Sequence, residues 1–139
     1  SIDNLSVYFV EQAGDVTLKA TTTDATQTTL TRDGLAATAS NIPTLPDDFT
    51  AAFTADVKGR RSDNLAFGFY SLTGVITRGT GAASTAITTS SLTVKHEDDD
   101  TWDVAIVADT TNGGLAIKVT GVAATTISWL CDLDIRELG

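Results

Sequence analysis

Ile127, Trp129, Cys131, Leu133 and Ile135 stand at every second position near the end of the chain, with Ser128, Leu130, Asp132, Asp134 and Arg136 between them. Successive side chains of a strand point to opposite faces, so this spacing buries one face and leaves the other to solvent. A helix would scatter the same apolar set around its axis. The pattern recurs upstream. Phe49, Ala51, Phe53, Ala55 and Val57 alternate with Thr50, Ala52, Thr54, Asp56 and Lys58, ending at Gly59-Arg60-Arg61. Trp102, Val104, Ile106 and Ala108 alternate with Asp103, Ala105 and Val107, and Leu115, Ile117 and Val119 alternate with Ala116, Lys118 and Thr120. Thr111-Asn112-Gly113-Gly114 lies between the last two runs and supplies residues tolerant of positive φ, which predicts a hairpin.

Leu65 to Ile76 reads as a further long strand, with Gly68 and Gly74 as bulges or points of close backbone approach. Ser91 to Glu97 gives a short strand, and Val7 to Glu11, Val16 to Thr21 and Thr28 to Thr31 give weaker ones. Pro43 and Pro46 mark a loop, and Gly79 to Ala86, small and polar with a short turn near Thr80 to Ser84, marks another. Strands separated by turn chemistry about every 10 to 15 residues predict an all-β, antiparallel β-sandwich of jelly-roll type. The 25 threonines favour strands for the same reason. A chain of 139 residues is one domain's worth, so residues 1–139 are expected to form a single unit. Much of the 42% apolar share is alanine, which makes for a thin core that subunit association would help to stabilise.

Charge narrows the partners. Nine Lys and Arg against eighteen Asp and Glu give a net charge of −9, which repels phosphate backbones and anionic lipid surfaces, so no nucleic acid is expected. No apolar run approaches the roughly 20 residues that span a bilayer, and no basic segment precedes an apolar one, so no membrane insertion is expected either. The chain starts at Ser1, which leaves open whether residues precede it. Cys131 has no second cysteine to pair with and reads as a small buried apolar side chain.

Few residues invite chemistry. His96-Glu97-Asp98-Asp99-Asp100 has carboxylates enough for Ca²⁺, but the alternating ligands, central Gly and distant Glu of a calcium loop are absent, and a solvated hairpin loop is the better reading. The one histidine sits in that charged loop, far in sequence from Cys131, which disfavours a nucleophile–histidine pair. Asp132 and Asp134 share a strand face about 7 Å apart, a spacing open to glycoside cleavage, yet Arg136 continues the row and favours a solvated ladder. No phosphate-cradling loop and no Cys/His cluster occur, so no cofactor and no metal are expected. Arg60-Arg61, followed by Ser62-Asp63-Asn64, is the one concentrated positive feature, and a loop paired to nearby Asp residues is its better reading. Arg60, Arg61, Asp63, Asn64 and Arg78 are the candidate ligand contacts, suited to a carboxylate or an acidic sugar. Trp102 and Trp129 fall on apolar faces and are expected in the core.

Taken in order, Arg60-Arg61, then Gly68-Phe69-Tyr70 with Gly74-Val75, then Trp102 to Asp109 through Asn112, then Leu115 to Gly121 and Thr126-Ile-Ser-Trp129 resemble a module of tailed-bacteriophage virion proteins, found in tail fibres and in related structural or decoration proteins. The likeness covers about residues 49–138. It departs where the last motif usually ends W-x-A and here reads Trp129-Leu130-Cys131, a change that touches packing. The resemblance implies a β-rich, often trimeric virion component that acts by binding, and it brings no catalytic residues with it. The expectation is a non-enzymatic tail-fibre distal or receptor-binding domain, located in the virion, touching other virion proteins and a bacterial cell-surface receptor, glycan or protein. Two alternatives stand beside it: a trimeric capsid decoration protein, and a carbohydrate-active depolymerase domain using Asp132 and Asp134.

Overall fold

The computed structural model describes residues 15–138, so the Val7 to Glu11 strand candidate lies outside the described residues. Eight strands follow in order: β1 (Asp15–Thr22), β2 (Thr28–Thr29), β3 (Phe49–Arg61), β4 (Phe67–Arg78), β5 (Ala86–Glu97), β6 (Asp103–Asp109), β7 (Gly114–Thr120) and β8 (Ile127–Glu137). They form a five-stranded sheet in the order β1-β8-β3-β4-β5 and a three-stranded sheet in the order β2-β7-β6, antiparallel throughout. The expected all-β antiparallel sandwich is thus what the chain builds. Among the described residues the first two strands pair with the last two, β1 with β8 and β2 with β7. Between them β3, β4 and β5 run as a meander within one sheet.

The alternation read from the sequence decides which faces meet. Phe53, Val57, Tyr70, Leu72, Leu18, Trp129 and Leu133 from the large sheet pack on Val104, Leu115, Ile117 and Val119 from the small one. Burying a side chain of this size contributes about 1.5–3 kcal/mol, whereas exposed ion pairs contribute little. The facing apolar rows therefore hold the sheets together. Trp102 and Trp129 meet edge to face between the sheets, with ring centroids 5.6 Å apart, and both are buried as expected. Trp129 Nε1 donates to Thr22 Oγ1 at 2.9 Å, which satisfies its one donor and ties β8 to β1. Trp102 Nε1 is buried without a hydrogen-bond partner among the described residues.

Several local expectations change. β5 begins at Ala86 rather than near Ser91; its first half, Thr88-Thr89-Ser90-Ser91, has no apolar alternation because this edge strand is exposed on both faces. β4 begins at Phe67, and Leu65 lies in the preceding turn, 80% exposed. Gly68 and Gly74 pair without a bulge on the β3 side; the register shifts fall between β4 and β5. Gly74 is a point of close approach, where a Cβ would stand 2.7 Å from Phe53 Cζ. The acidic run is not a hairpin loop: β5 and β6 belong to different sheets, so Asp98 to Thr101 form the corner where the chain crosses between them. The Pro43–Pro46 loop is found, but it packs inward: Ile42 and Leu45 are buried and Leu115 N donates to Pro43 O at 2.8 Å.

Gly59 is a tight point of the core. A Cβ there would lie 2.6 Å from Trp129 Cζ3, against the face of a buried ring. Gly59→Ala is expected to destabilise the fold by about 1–3 kcal/mol through overpacking, whereas Gly79→Ala, whose Cβ would meet nothing nearer than 3.5 Å, is expected to leave the urea midpoint nearly unchanged. Equal midpoints for the two variants would contradict this packing.

Candidate functional site

Register on the large sheet fixes what its outer face carries. His96 of β5 stands beside Phe69 of β4, Phe69 beside Lys58 of β3, Lys58 beside Leu130 of β8, and Leu130 beside Lys19 of β1. One cross-strand row thus runs over all five strands. The next outward row places Phe67, Arg60, Ser128 and Thr21 side by side. Four of the nine cations, Lys19, Lys58, Arg60 and Arg61, gather at this end of a chain whose net charge is −9. Two adjoining hollows lie here and share Ser128. One, of about 570 Å³, is lined by Lys19, Thr21, Asp33, Gly34, Ser128 and Leu130; the other, of about 250 Å³, by Arg60, Arg61, Ser62 and Ser128. Together they form an open groove across β3, β8 and β1.

Hydrogen bonding separates the positioning residues from the free ones. Arg61 Nε and Nη2 donate to the two oxygens of Asp63 at 2.9 and 2.8 Å, and Asn64 Oδ1 accepts from Ala66 N at 2.8 Å. These three of the five candidates build the β3–β4 turn. The Arg61 guanidinium holds the Asp63 carboxyl below its ordinary range. Arg78 stands at the other end of β3 and β4, roughly 35 Å along the strands from Arg60. There its Nη1 donates to Leu45 O at 2.7 Å and its Nε to Asp47 Oδ1 at 3.2 Å, clamping the loop after Pro46. Arg78 is therefore separate from the groove. Arg60 alone among the five is exposed with neither an ion pair nor a side-chain hydrogen bond to the described residues.

Lys19 is its counterpart across the groove. The neighbouring carboxylate, Asp33, accepts from Leu35 N at 3.0 Å, Asn41 Nδ2 at 3.1 Å and Thr31 Oγ1 at 3.2 Å. The Leu35 N–H first of all holds that carboxyl below its ordinary range, and the group belongs to its own loop. Lys19 is left without an ion pair to the described residues. Lys58, between the two, bonds Asp132 Oδ2 at 3.2 Å and lies 6.0 Å from the Phe69 ring centroid. The floor of the groove is mixed, with the apolar Leu130, 42% exposed, beside the hydroxyls of Ser128 and Thr21. Lys19, Ser128 and Leu130 were not singled out in the sequence, because only the order β1-β8-β3 brings them to Arg60.

The remaining candidates are committed elsewhere. Asp98 accepts from Phe67 N at 2.9 Å and meets His96 Nε2 at 2.8 Å, while the His96 ring stacks on Phe67 at 4.2 Å. Asp99 accepts from the Thr101 hydroxyl at 2.6 Å and from Thr101 N at 2.9 Å. Among the described residues no group of three His, Cys, Asp or Glu side chains is placed to hold a metal ion. Tyr70 Oη donates to Glu97 Oε2 at 2.7 Å; burial and then that carboxylate push the phenol upward and keep it a donor. Asp132 pairs with Lys58 and Asp134 with Arg136 on an open face.

Asp98 supplies a pH test of the corner. The Phe67 N–H and then His96 lower its folded-state pKa from an ordinary 3.8, so its contribution is fully present above that value and is lost as pH falls through the lowered one. Asp98→Asn is expected to melt below the parent at pH 6 and to converge with it at the acid end. A gap that widens on acidification would contradict the assignment.

No model of a known protein family matches the chain, and no curated protein does. Among solved structures it is similar to the tailspike protein of Acinetobacter baumannii phage AM24, with 10% identity over 86% of this chain and 27% of that one, at a TM-score of 0.33. It is likewise similar to the tailspike protein of Acinetobacter phage vB_ApiP_P1, with 9% identity over 90% of this chain and 21% of that one, at a TM-score of 0.32. The chain thus spans about a quarter of the length of these tailspikes.

Proposed function

We propose that the chain is a recognition module of a bacteriophage virion, carried as the distal or receptor-binding part of a tail fibre, and that it binds a bacterial surface through the outer face of its large sheet. The observation that carries this is the open groove flanked by Arg60 and Lys19, two cations with no ion pair among the described residues. Exposed charges left without partners in an acidic protein cost little to keep and are available to a ligand. The ordered motifs from Arg60 to Trp129 support the virion setting.

Binding fits these side chains better than nucleophilic catalysis. Burial pushes the Cys131 thiol up to about 12, which leaves it protonated and unreactive. His96 is engaged by the Asp98 carboxylate and stacks on Phe67. Asp132 and Asp134, the pair a depolymerase would use, are each held by a cation in the next row.

A homotrimer belongs to the same proposal. Among the described residues β5 has a sheet partner on one side only, and it exposes Leu92 and Val94 at 45% and 50% on the face turned toward the smaller sheet. A neighbouring subunit would cover both the open backbone and this apolar strip. The other edge, β1, is already bridged by Thr31, whose N and O bond Lys19 at 3.1 and 2.7 Å.

Light scattering on the purified chain, paired with adsorption to a panel of bacterial strains, tests the reading. The expected result is a trimer that adsorbs to particular strains without cleaving their surface glycans. A trimer that ignores every strain and binds assembled capsids would replace it with a decoration protein. Glycan cleavage abolished by Asp132→Asn would replace it with a depolymerase.

A further inference from the structure

We infer that the groove between Arg60 and Lys19 takes an anionic polysaccharide, and this rests on the recognition reading above. The placement of charge is the first ground. Arg60 sits on β3 and Lys19 on β1, with β8 between them and a stagger of two residues, so their Cα atoms stand roughly 10–12 Å apart. Both side chains are long enough to reach inward over Ser128 and Leu130. Anionic groups repeated along one extended ligand meet both cations at once, whereas a single small anion meets one.

The floor is the second ground. Leu130 offers an apolar patch for the C–H face of a sugar ring, and Ser128 and Thr21 offer hydroxyls that both donate and accept, as sugar hydroxyls require. The open form of the groove, running across three strands, suits a chain passing over it. An acidic protein segment would satisfy the two cations but not this mixed floor.

Electrostatic contrast is the third ground. Of the carboxylates beside the groove, Asp63 is offset by Arg61 and Asp132 by Lys58. Asp33 keeps its charge, with Oδ1 turned into its own loop, and the two unpaired cations Arg60 and Lys19 outnumber it. Arg60, with its planar fork, suits carboxylate and phosphate alike. The shared chemistry is therefore an anionic group on a sugar.

The test uses surface polysaccharide extracted from a strain to which the chain adsorbs. Its affinity for the full chain is measured untreated, after chemical reduction of its carboxylates, and after hydrolytic removal of its phosphates, with poly-L-glutamate as a non-sugar polyanion. Removal of whichever group the polysaccharide carries is expected to weaken binding about tenfold or more, and the double variant Arg60→Gln with Lys19→Gln to weaken it as much. Lys95→Gln, an exposed cation on the far edge strand, is expected to leave affinity within about twofold. Melting temperatures of the variants, all at exposed positions, separate lost contacts from lost fold. Full-strength binding by the polysaccharide stripped of both groups would overturn the inference, as would unchanged affinity in the double variant or equal binding of poly-L-glutamate. Adsorption that survives stripping of the glycan but not protease treatment of the cells would point to a protein receptor, removing this inference while leaving the recognition reading in place. Failure to adsorb to any strain would remove both.

Discussion

Trp102 and Trp129 meet edge to face in the middle of the core. This contact lies where the two sheets face one another and joins β8 to the segment that enters β6. Trp129 is anchored sideways to Thr22 and fits over the bare backbone of Gly59. One large side chain therefore locks β1, β8 and β3 into a single arrangement. The outward residues of these same three strands form the groove.

This coupling explains why an apolar interior and a charged surface need not be treated separately. Once Trp129 points inward, Ser128 and Leu130 must point outward, because neighbours on a strand alternate. Antiparallel pairing then places Arg60 beside Ser128 and Lys19 beside Leu130. The Arg61–Asp63 pair and the Asn64 side chain close the adjoining turn and hold the end of β3 in place, so Arg60 leaves a rigid strand. A surface built on strands keeps its spacing better than one built on loops.

Much of this was legible in the sequence and some was not. Period-two runs identified β3, β6, β7 and β8 and their buried faces, since burial on one face leaves a direct imprint on residue choice. The imprint fades at edges: the first half of β5 is polar on both faces and carries no period, so the strand reads as short. Sheet membership left no trace either, and the acidic corner at Asp98 to Thr101 resembles a hairpin loop because both solutions need the same solvated, turn-forming residues. Of the candidate site, Arg60 could be found as part of a charge cluster. Its companion Lys19 lies about forty residues away on a weakly patterned strand, and nothing local marks it. The long-range order β1-β8-β3 is what brings them together.

Arg61, Asp63, Asn64 and Arg78 show the reverse case, in which a concentration of polar residues serves the fold. Each has its hydrogen bonds within a turn or loop, and Arg78 lies at the opposite end of the sheet. Charge density in a sequence identifies where polar chemistry is available; partner geometry decides whether it faces inward to the structure or outward to a ligand.

Lysine acetylation of the chain, alone and adsorbed to susceptible cells, maps the face that meets the cell. Adsorption is expected to protect Lys19 and to leave Lys95, on the opposite edge of the same sheet, as reactive as in the free protein. Protection of Lys95 with Lys19 still freely modified would contradict this expectation and move the binding face away from the groove.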